Sequence, residues 1–287
     1  MWFLFCFILL KTRFMVIRSL IIVAALCMNT IVKAQHPPVF EGMETDTSYI
    51  VLGDLEMNLV KYGYGAVHPS FLTIHDDEDT GVKAAFKYIA ENGGSIIDSQ
   101  YGGTRNFKFI HQEVTYQTDP NSIYTKTGIR PGLEKFGRAH EDVITELENA
   151  GKIILNYYNP LKTGYIFTLH NNGDSGFGIS SYLKGYDLET AADSLYINFQ
   201  MDNDDMVLVT EPVLFSWLKK ENVNVVLQAK NAPDDGSLSI YAMHHHIPYI
   251  NVEVQHGHID EHLRLIRLGT RALAELYPSL GIKKPAE

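Results

Sequence analysis

Beyond residue 34 the sequence contains no cysteine; its two, Cys6 and Cys27, both precede that point. A body without thiols has no disulfide framework, no thiolate metal site and no cysteine nucleophile, which removes phosphatases built on a C-x5-R motif. Positive charge is scarce as well. All 34 acidic residues but only 20 of the 24 basic ones lie beyond residue 34, because Lys11, Arg13, Arg18 and Lys33 come before it. So acidic a body repels polyanions, and nucleic acid is excluded as a partner. Internal repeats, low-complexity tracts and linkers are also missing, so the roughly 250 remaining residues suit one domain with its own core.

No apolar run reaches the roughly 20 residues that a membrane-spanning helix needs. One lies in MVIRSLIIVAALCMNTIVKAQ, where Arg18 precedes an apolar stretch from Leu20 to Met28 and Asn29 and Thr30 interrupt it. Val32-Lys33-Ala34 then offers a small residue for cleavage, the pattern of a secretory signal. Residues 1–34 are therefore expected to be a signal peptide, with Met15 a candidate start. The mature protein is expected to be exported, periplasmic or extracellular, with no membrane span after cleavage. Lipidation at Cys27 is disfavoured by Leu26 before it.

Residues 35–70 are rich in turn formers and short strand-like pieces, and are expected to be an N-terminal lead-in packed on a main domain of residues 71–287. From there apolar runs alternate with helical periodicity. In FLTIHDDEDTGVKAAFKYIAENGGSII a buried-strand pattern precedes a helix with Val82, Ala85, Phe86 and Ile89 on one face and Gly93-Gly94 as its stop. SIIDSQY and FKFIHQ read as strands. PGLEKFGRAHEDVITELENAG reads as one helix opening on a proline, with Leu133, Phe136, Val143 and Leu147 at helical spacing. GYIFTLHN, MVLVT, VNVVLQ and IPYINVEVQ continue the strands, and IDEHLRLIRLGTRALAELY closes the chain with an apolar stripe. The fold class expected is α/β: a single domain with a mixed, largely parallel sheet and helices on both faces.

In such sheets ligands gather at the carboxyl ends of the strands. His75 closes one apolar strand, His170 another, Asp119 and Asn121 follow a third, and Glu253 lies near the end of the last. Two histidines and one glutamate, His75, Glu78 and His170, make a three-ligand set that leaves a fourth position for water on Zn2+. Taken singly, each has a plainer reading as a strand-end residue or as a carboxylate favoured by a helix N-terminus.

The ordered set resembles the zinc carboxypeptidase superfamily, which includes the succinylglutamate desuccinylase and aspartoacylase deacylases. There an H-x-x-E pair is followed by an arginine, a D-x-N-R segment, a third histidine after a strand and a catalytic glutamate near the last strand. This chain has His75 and Glu78, Arg105 in GGTRNF, Asp119-Pro120-Asn121, His170 and Glu253 in that order, over about residues 70 to 275. The resemblance implies a carboxypeptidase-like fold and a zinc hydrolase acting on a small peptide or acyl-amino-acid substrate through a metal-activated water. It makes Glu253 the general base, Arg105 the group that polarises the carbonyl, and Asp119 the carboxylate that orients a ligand imidazole. Asn121 becomes a substrate contact, and Tyr241 a substrate-covering aromatic.

One position departs from the pattern: Ser122 stands where D-x-N-R has its arginine. That arginine grips a free substrate carboxylate, so Arg130 or Lys126, nearby in sequence, would have to replace it. The departure also leaves room for a second reading, a metal-retaining binding protein without turnover. A competing metal site lies in MHHHIPYINVEVQHGHIDEH, where His244, His245, His246, His256, His258 and His262 crowd together. On a strand His256 and His258 share a face but lack an evident third ligand.

Overall fold

The first ordered elements alternate exposed and buried side chains, the signature of a sheet with one wet face. The computed structural model describes residues 37–285 other than Ser175. The expected signal segment lies outside these residues. Strands β1 (Glu44–Leu52) and β2 (Leu55–Tyr64) form an antiparallel hairpin, and β2 then pairs with β4 (Gly94–Gln100). The expected lead-in thus supplies two strands of the main sheet itself.

That sheet has nine strands in the order β1-β2-β4-β3-β7-β11-β9-β10-β8, where β3 is Ser70–Thr73, β7 Ile166–Asn172, β8 Ala192–Tyr196, β9 Met206–Val209, β10 Val225–Gln228 and β11 Tyr249–Gln255. The central run β4-β3-β7-β11 is parallel, as is the β9–β10 pair. Antiparallel pairs flank them. The sheet is accordingly mixed, with its parallel character concentrated where strands are buried on both faces. A separate hairpin, β5 (Phe107–His111) with β6 (Val114–Thr118), turns through Gln112 and Glu113, both at positive φ.

Helices cover both faces. On one side α1 (Asp79–Asn92), α5 (Pro212–Lys220) and α7 (Ile259–Leu276) press Val82, Phe86, Leu214, Leu218, Ile266 and Leu273 against Phe167, Ile250 and Val252. On the other, α2 (Lys126–Glu134), α3 (Glu141–Tyr158) and α6 (Leu238–His244) seat Ile129, Leu147, Ile154 and Leu238 against Ile97, Ile166 and Met206. The short α4 (Pro160–Thr163) links α3 to β7. Each such fully buried aliphatic or aromatic side chain stabilises the fold by about 1.5–3 kcal/mol before conformational entropy is counted.

The single helix expected from Pro131 to Gly151 is two. Pro131 sits inside α2, not in a first turn, and the chain breaks at Gly137, whose φ of 152° lies in the left-handed region. His140 then caps α3 by accepting from the Asp142 backbone N–H. Phe136, between the two helices, is exposed.

Candidate metal centre

His75 and Glu78 flank the turn that carries the chain from β3 into α1, and His170 projects from the same sheet face as Ile166 and Thr168 near the end of β7. The turn brings the three together. His75 Nδ1 lies 2.7 Å from Glu78 Oε1 and 3.1 Å from His170 Nδ1, and His170 Nδ1 lies 3.1 Å from Glu78 Oε1. All three side chains are buried, and no other group of three potential ligands converges this way among the described residues. Tetrahedral coordination with bonds of 2.0–2.1 Å sets neighbouring donor atoms about 3.3 Å apart. The triangle is slightly tighter than that, and a small ion fits it. His170 Nε2, buried and without a partner among the described residues, leaves that ring committed to the cluster through Nδ1 alone.

The other nitrogen of His75, Nε2, stands 2.8 Å from Asp119 Oδ1. A carboxylate there accepts the Nε2 proton, fixing the tautomer that offers the Nδ1 lone pair to a metal. Asp119 is held in turn by the backbone N–H of Asn121 at 2.7 Å. Two carboxylates around one imidazole demand a cation, either a metal at Nδ1 or a second proton on the ring. Without a metal, burial disfavours the charged ring, yet hydrogen bonds to Asp119 and Glu78 outweigh it and lift His75 to about 9. For Glu78 burial pushes the pKa up, and the imidazoles of His170 and His75 override it, holding the carboxyl well below its usual range. Asp119 is likewise held low by His75 and the Asn121 N–H, against the pull of burial.

The acidic run around this turn divides its labour. Asp76 accepts from the backbone N–H groups of Tyr101 and Gly103, and its own N–H donates to the Tyr101 hydroxyl at 3.1 Å. The Tyr101 hydroxyl donates to the Arg105 carbonyl at 2.8 Å, so one aspartate ties the ligand turn to the loop bearing Arg105. Glu78 Oε2 accepts from the Asn171 N–H, and Asn171 Oδ1 accepts from the Thr80 N–H at 3.2 Å. Asp79 opens α1 and pairs with Lys83 at 3.7 Å.

Arg105, its side chain half exposed, reaches to 3.3 Å of Glu78 Oε1. Burial works against its charge, but Glu78, Asp119 and Glu253 together raise its pKa. Glu253 stands directly opposite His170 in the parallel β7–β11 register. Its Oε1 accepts from Asn251 Nδ2 at 2.9 Å; Asn251 Oδ1 accepts from the Thr168 hydroxyl at 3.0 Å, which meets the Tyr249 hydroxyl at 2.8 Å. Burial raises the pKa of Glu253, partly offset by His170 and by the Asn251 bond.

These groups open onto a cleft of about 690 Å³ lined by Asp77, Arg105, Asn121, Glu253 and His256 near the cluster. Asn121 also supplies its Oδ1 to the Leu238 N–H at 3.0 Å, so the loop contact and the cleft contact share one side chain. Two expected site residues lie elsewhere. Tyr241 is on α6 but stacks on His245 with ring centroids 4.0 Å apart and faces a smaller cavity that Lys126 also lines. Arg130 is on α2, paired with Glu141 and Glu134 away from the cleft. Neither reaches the cleft, because α2 and α6 present those positions outward.

Ser122 is buried, and Gly132 and Gly236 crowd it: a Cβ on Gly132 would come within 2.7 Å of Ser122 Cβ. Gly236, at φ +84°, passes too close to the Ser122 carbonyl for any side chain. Of the histidine-rich segment, His244, His245 and His246 are exposed, His258 meets Asp205 at 3.3 Å, and His262 is fully buried on the opposite side of the sheet. Only His256 touches the cleft.

Asn171, Asn251 and Tyr182 also belong to the site region. Asn251 was legible, since it lies two residues before Glu253 and so on the same strand face. Tyr182 follows from no local pattern, because it sits in a 3-10 turn of the long β7–β8 connection. The chain matches no protein-family model, no curated protein and no solved structure.

Proposed function

We propose that this chain is an exported zinc-dependent hydrolase of the carboxypeptidase superfamily type, with a carboxypeptidase-like fold, that cleaves an amide bond in a peptide, a peptidoglycan fragment or an N-acyl amino acid. The observation that carries the proposal is the convergence of His75 Nδ1, His170 Nδ1 and Glu78 Oε1, with a buried glutamate beside them. Bound there, zinc supplies a Lewis acid that acidifies water and polarises a carbonyl.

The protein side chains divide the remaining work. Glu253, made more basic by burial, takes a proton from the attacking water and returns it to the leaving nitrogen. Arg105 keeps its charge at the cleft wall and stabilises the oxygen on which negative charge develops. Asp119 holds His75 in the tautomer that leaves Nδ1 free.

The test combines metal analysis of the purified protein with hydrolysis of a panel of peptides and acyl-amino acids. Stoichiometric zinc with turnover of at least one amide class is the expected result. Zinc without turnover on a broad panel would favour the binding-protein reading, and absence of metal affinity would remove the proposal.

A further inference from the structure

The nine-stranded sheet ends on two unlike strands. At one end β8 has five residues, carries the exposed acid Asp193 and pairs with β10 through a register shift at Leu227–Gln228. Shortness, a bulge and a charge are devices that keep a sheet edge from recruiting another strand. At the other end β1 has nine residues, no proline, no lysine and an unbroken register against β2.

The hairpin turn fixes which backbone groups of β1 face outward. Gly53, at φ +55°, and Asp54 form a two-residue turn closed by the Leu52–Leu55 pair. The pair beside such a turn exchanges backbone hydrogen bonds, and exchanging pairs alternate along an antiparallel ladder. Ile50, Ser48, Asp46 and Glu44 therefore bond inward to β2, while the N–H and C=O groups of Thr45, Thr47, Tyr49 and Val51 point away from the sheet. Those outward groups bond to no described residue. Apolar side chains crowd the same margin. On one face Tyr49 is 72% exposed and Val51 64%. On the other lies α3, whose Tyr157 hydroxyl donates to Asp46 at 3.1 Å and whose exposed Ile153 sits one turn earlier on the same stripe.

We propose that β1 is the seam of a homodimer, in which a second copy of this chain adds its own β1 antiparallel across a two-fold axis at Ser48. In that register Thr45 pairs with Val51 of the other copy and Thr47 with Tyr49, each twice, so every outward donor and acceptor is used. Moving the axis to Thr47 leaves Val51 without a strand partner, and moving it to Tyr49 leaves Thr45 without one. Glu44 comes opposite Leu52 and Asp46 opposite Ile50, so no like charges meet directly, and Thr47 against Tyr49 is a favourable cross-strand pair. A nine-residue edge about 31 Å long and about 10 Å thick covers about 300 Å². A stable dimer buries about 800 Å² per partner, and Tyr49, Val51 and Ile153 extend the apolar surface toward that area. An unrelated extended peptide would satisfy the backbone groups but would lack the doubled side-chain pairing of a second copy. β1 lines no part of the cleft, so the seam is independent of the chemistry assigned there.

The register makes one close pair. Ser48 stands opposite Ser48 of the other copy in a pair that exchanges no hydrogen bonds, with Cα atoms about 4.5 Å apart, within disulfide reach. Asp46 lies about 14 Å from its own counterpart. In a full chain carrying Cys6→Ser and Cys27→Ser, mild oxidation should turn Ser48→Cys into a covalent dimer and leave Asp46→Cys uncoupled. Sedimentation equilibrium over a concentration series should show a dimer for the chain without introduced cysteine. Thr47→Pro removes only an outward N–H and should weaken that dimer by about tenfold or more, because it strips a seam hydrogen bond from both copies. Tyr49→Lys, which puts a charge on the edge and keeps every backbone group, should do the same and serves if Thr47→Pro does not fold. A monomer at every concentration with no Ser48→Cys cross-link overturns the dimer. Cross-linking of Asp46→Cys as fast as Ser48→Cys, or a dimer undisturbed by Tyr49→Lys, overturns the seam.

Discussion

Glu253 and His170 stand side by side on adjacent parallel strands, so the proposed base is fixed relative to a candidate metal ligand by backbone register and not by a loop. Glu253→Gln keeps the shape and removes the proton acceptor. Metal content and substrate affinity should persist while kcat falls by about 100-fold to 10,000-fold. Unchanged kcat in metal-replete protein would remove Glu253 from the mechanism.

The ligand assignment is checked by metal content. His75→Ala and His170→Ala should each lose zinc from the purified protein, whereas a His256→Ala, His258→Ala double variant should retain it. The reverse pattern would move the site to the histidine-rich segment. Asp119→Asn should hold zinc about 10-fold to 100-fold more weakly, because its effect passes through the His75 ring.

The chain of hydrogen bonds from Tyr249 through Thr168 and Asn251 reaches Glu253, and the last bond favours the ionised carboxylate. In Asn251→Leu that stabilisation is gone, so the Glu253 pKa should rise. The base must be deprotonated to act, and the acid limb of the kcat/KM profile should therefore move to higher pH. A profile that only drops in height, with no shift, would assign Asn251 a packing role.

His262 is fully buried with neither ring nitrogen partnered among the described residues, and burial depresses its pKa to about 3. Above its unfolded pKa near 6.5 both states are neutral and the group is silent. Below it the unfolded chain takes up a proton that the folded one refuses, so stability falls by about 1.4 kcal/mol per pH unit until pH approaches 3. Between pH 7 and pH 5 this amounts to about 2 kcal/mol. Urea titrations of metal-free protein should show that loss reduced in His262→Leu by a similar amount; identical pH slopes for the two proteins would contradict it.

Ser122, sealed by Gly132 and Gly236, leaves no arginine to grip a free carboxylate, and Arg130 is turned away to Glu141. Amidating the C-terminus of a good peptide substrate should reduce kcat/KM by less than about tenfold, in the range of a weak polar contact. A loss of several orders of magnitude would show that another cation recruits that carboxylate.

The clustered candidate ligands were legible because each sits at a junction that sequence marks well: a short apolar run, then a histidine, then a polar turn. His75 and Glu78 need only the local geometry of that turn to meet. Asp119 follows from its turn chemistry before Pro120, although only the fold sets it beside His75. Tyr241 and Arg130 misled because helical position says little about which neighbour a face will meet, and α6 and α2 turn those faces outward. The break between α2 and α3 was hidden for a related reason: Phe136 and Val143 keep helical spacing across it, and only Gly137 marks the interruption. The nine-stranded span of the sheet was not visible at all, since β1 and β2 join it through pairing with β4, a contact distant in sequence.

The bridge made by Asp76 has a wider consequence. One carboxylate binds the backbone of the Arg105 loop while its neighbours in sequence present two of the candidate ligands, so that wall of the cleft is cross-linked within itself. The opposite wall, made by the β7–β8 connection and the segment from Ala232 to Ser239, contributes no ligand. Substitutions in that second wall can therefore reshape what the cleft admits while leaving the three candidate ligands and Arg105 in place.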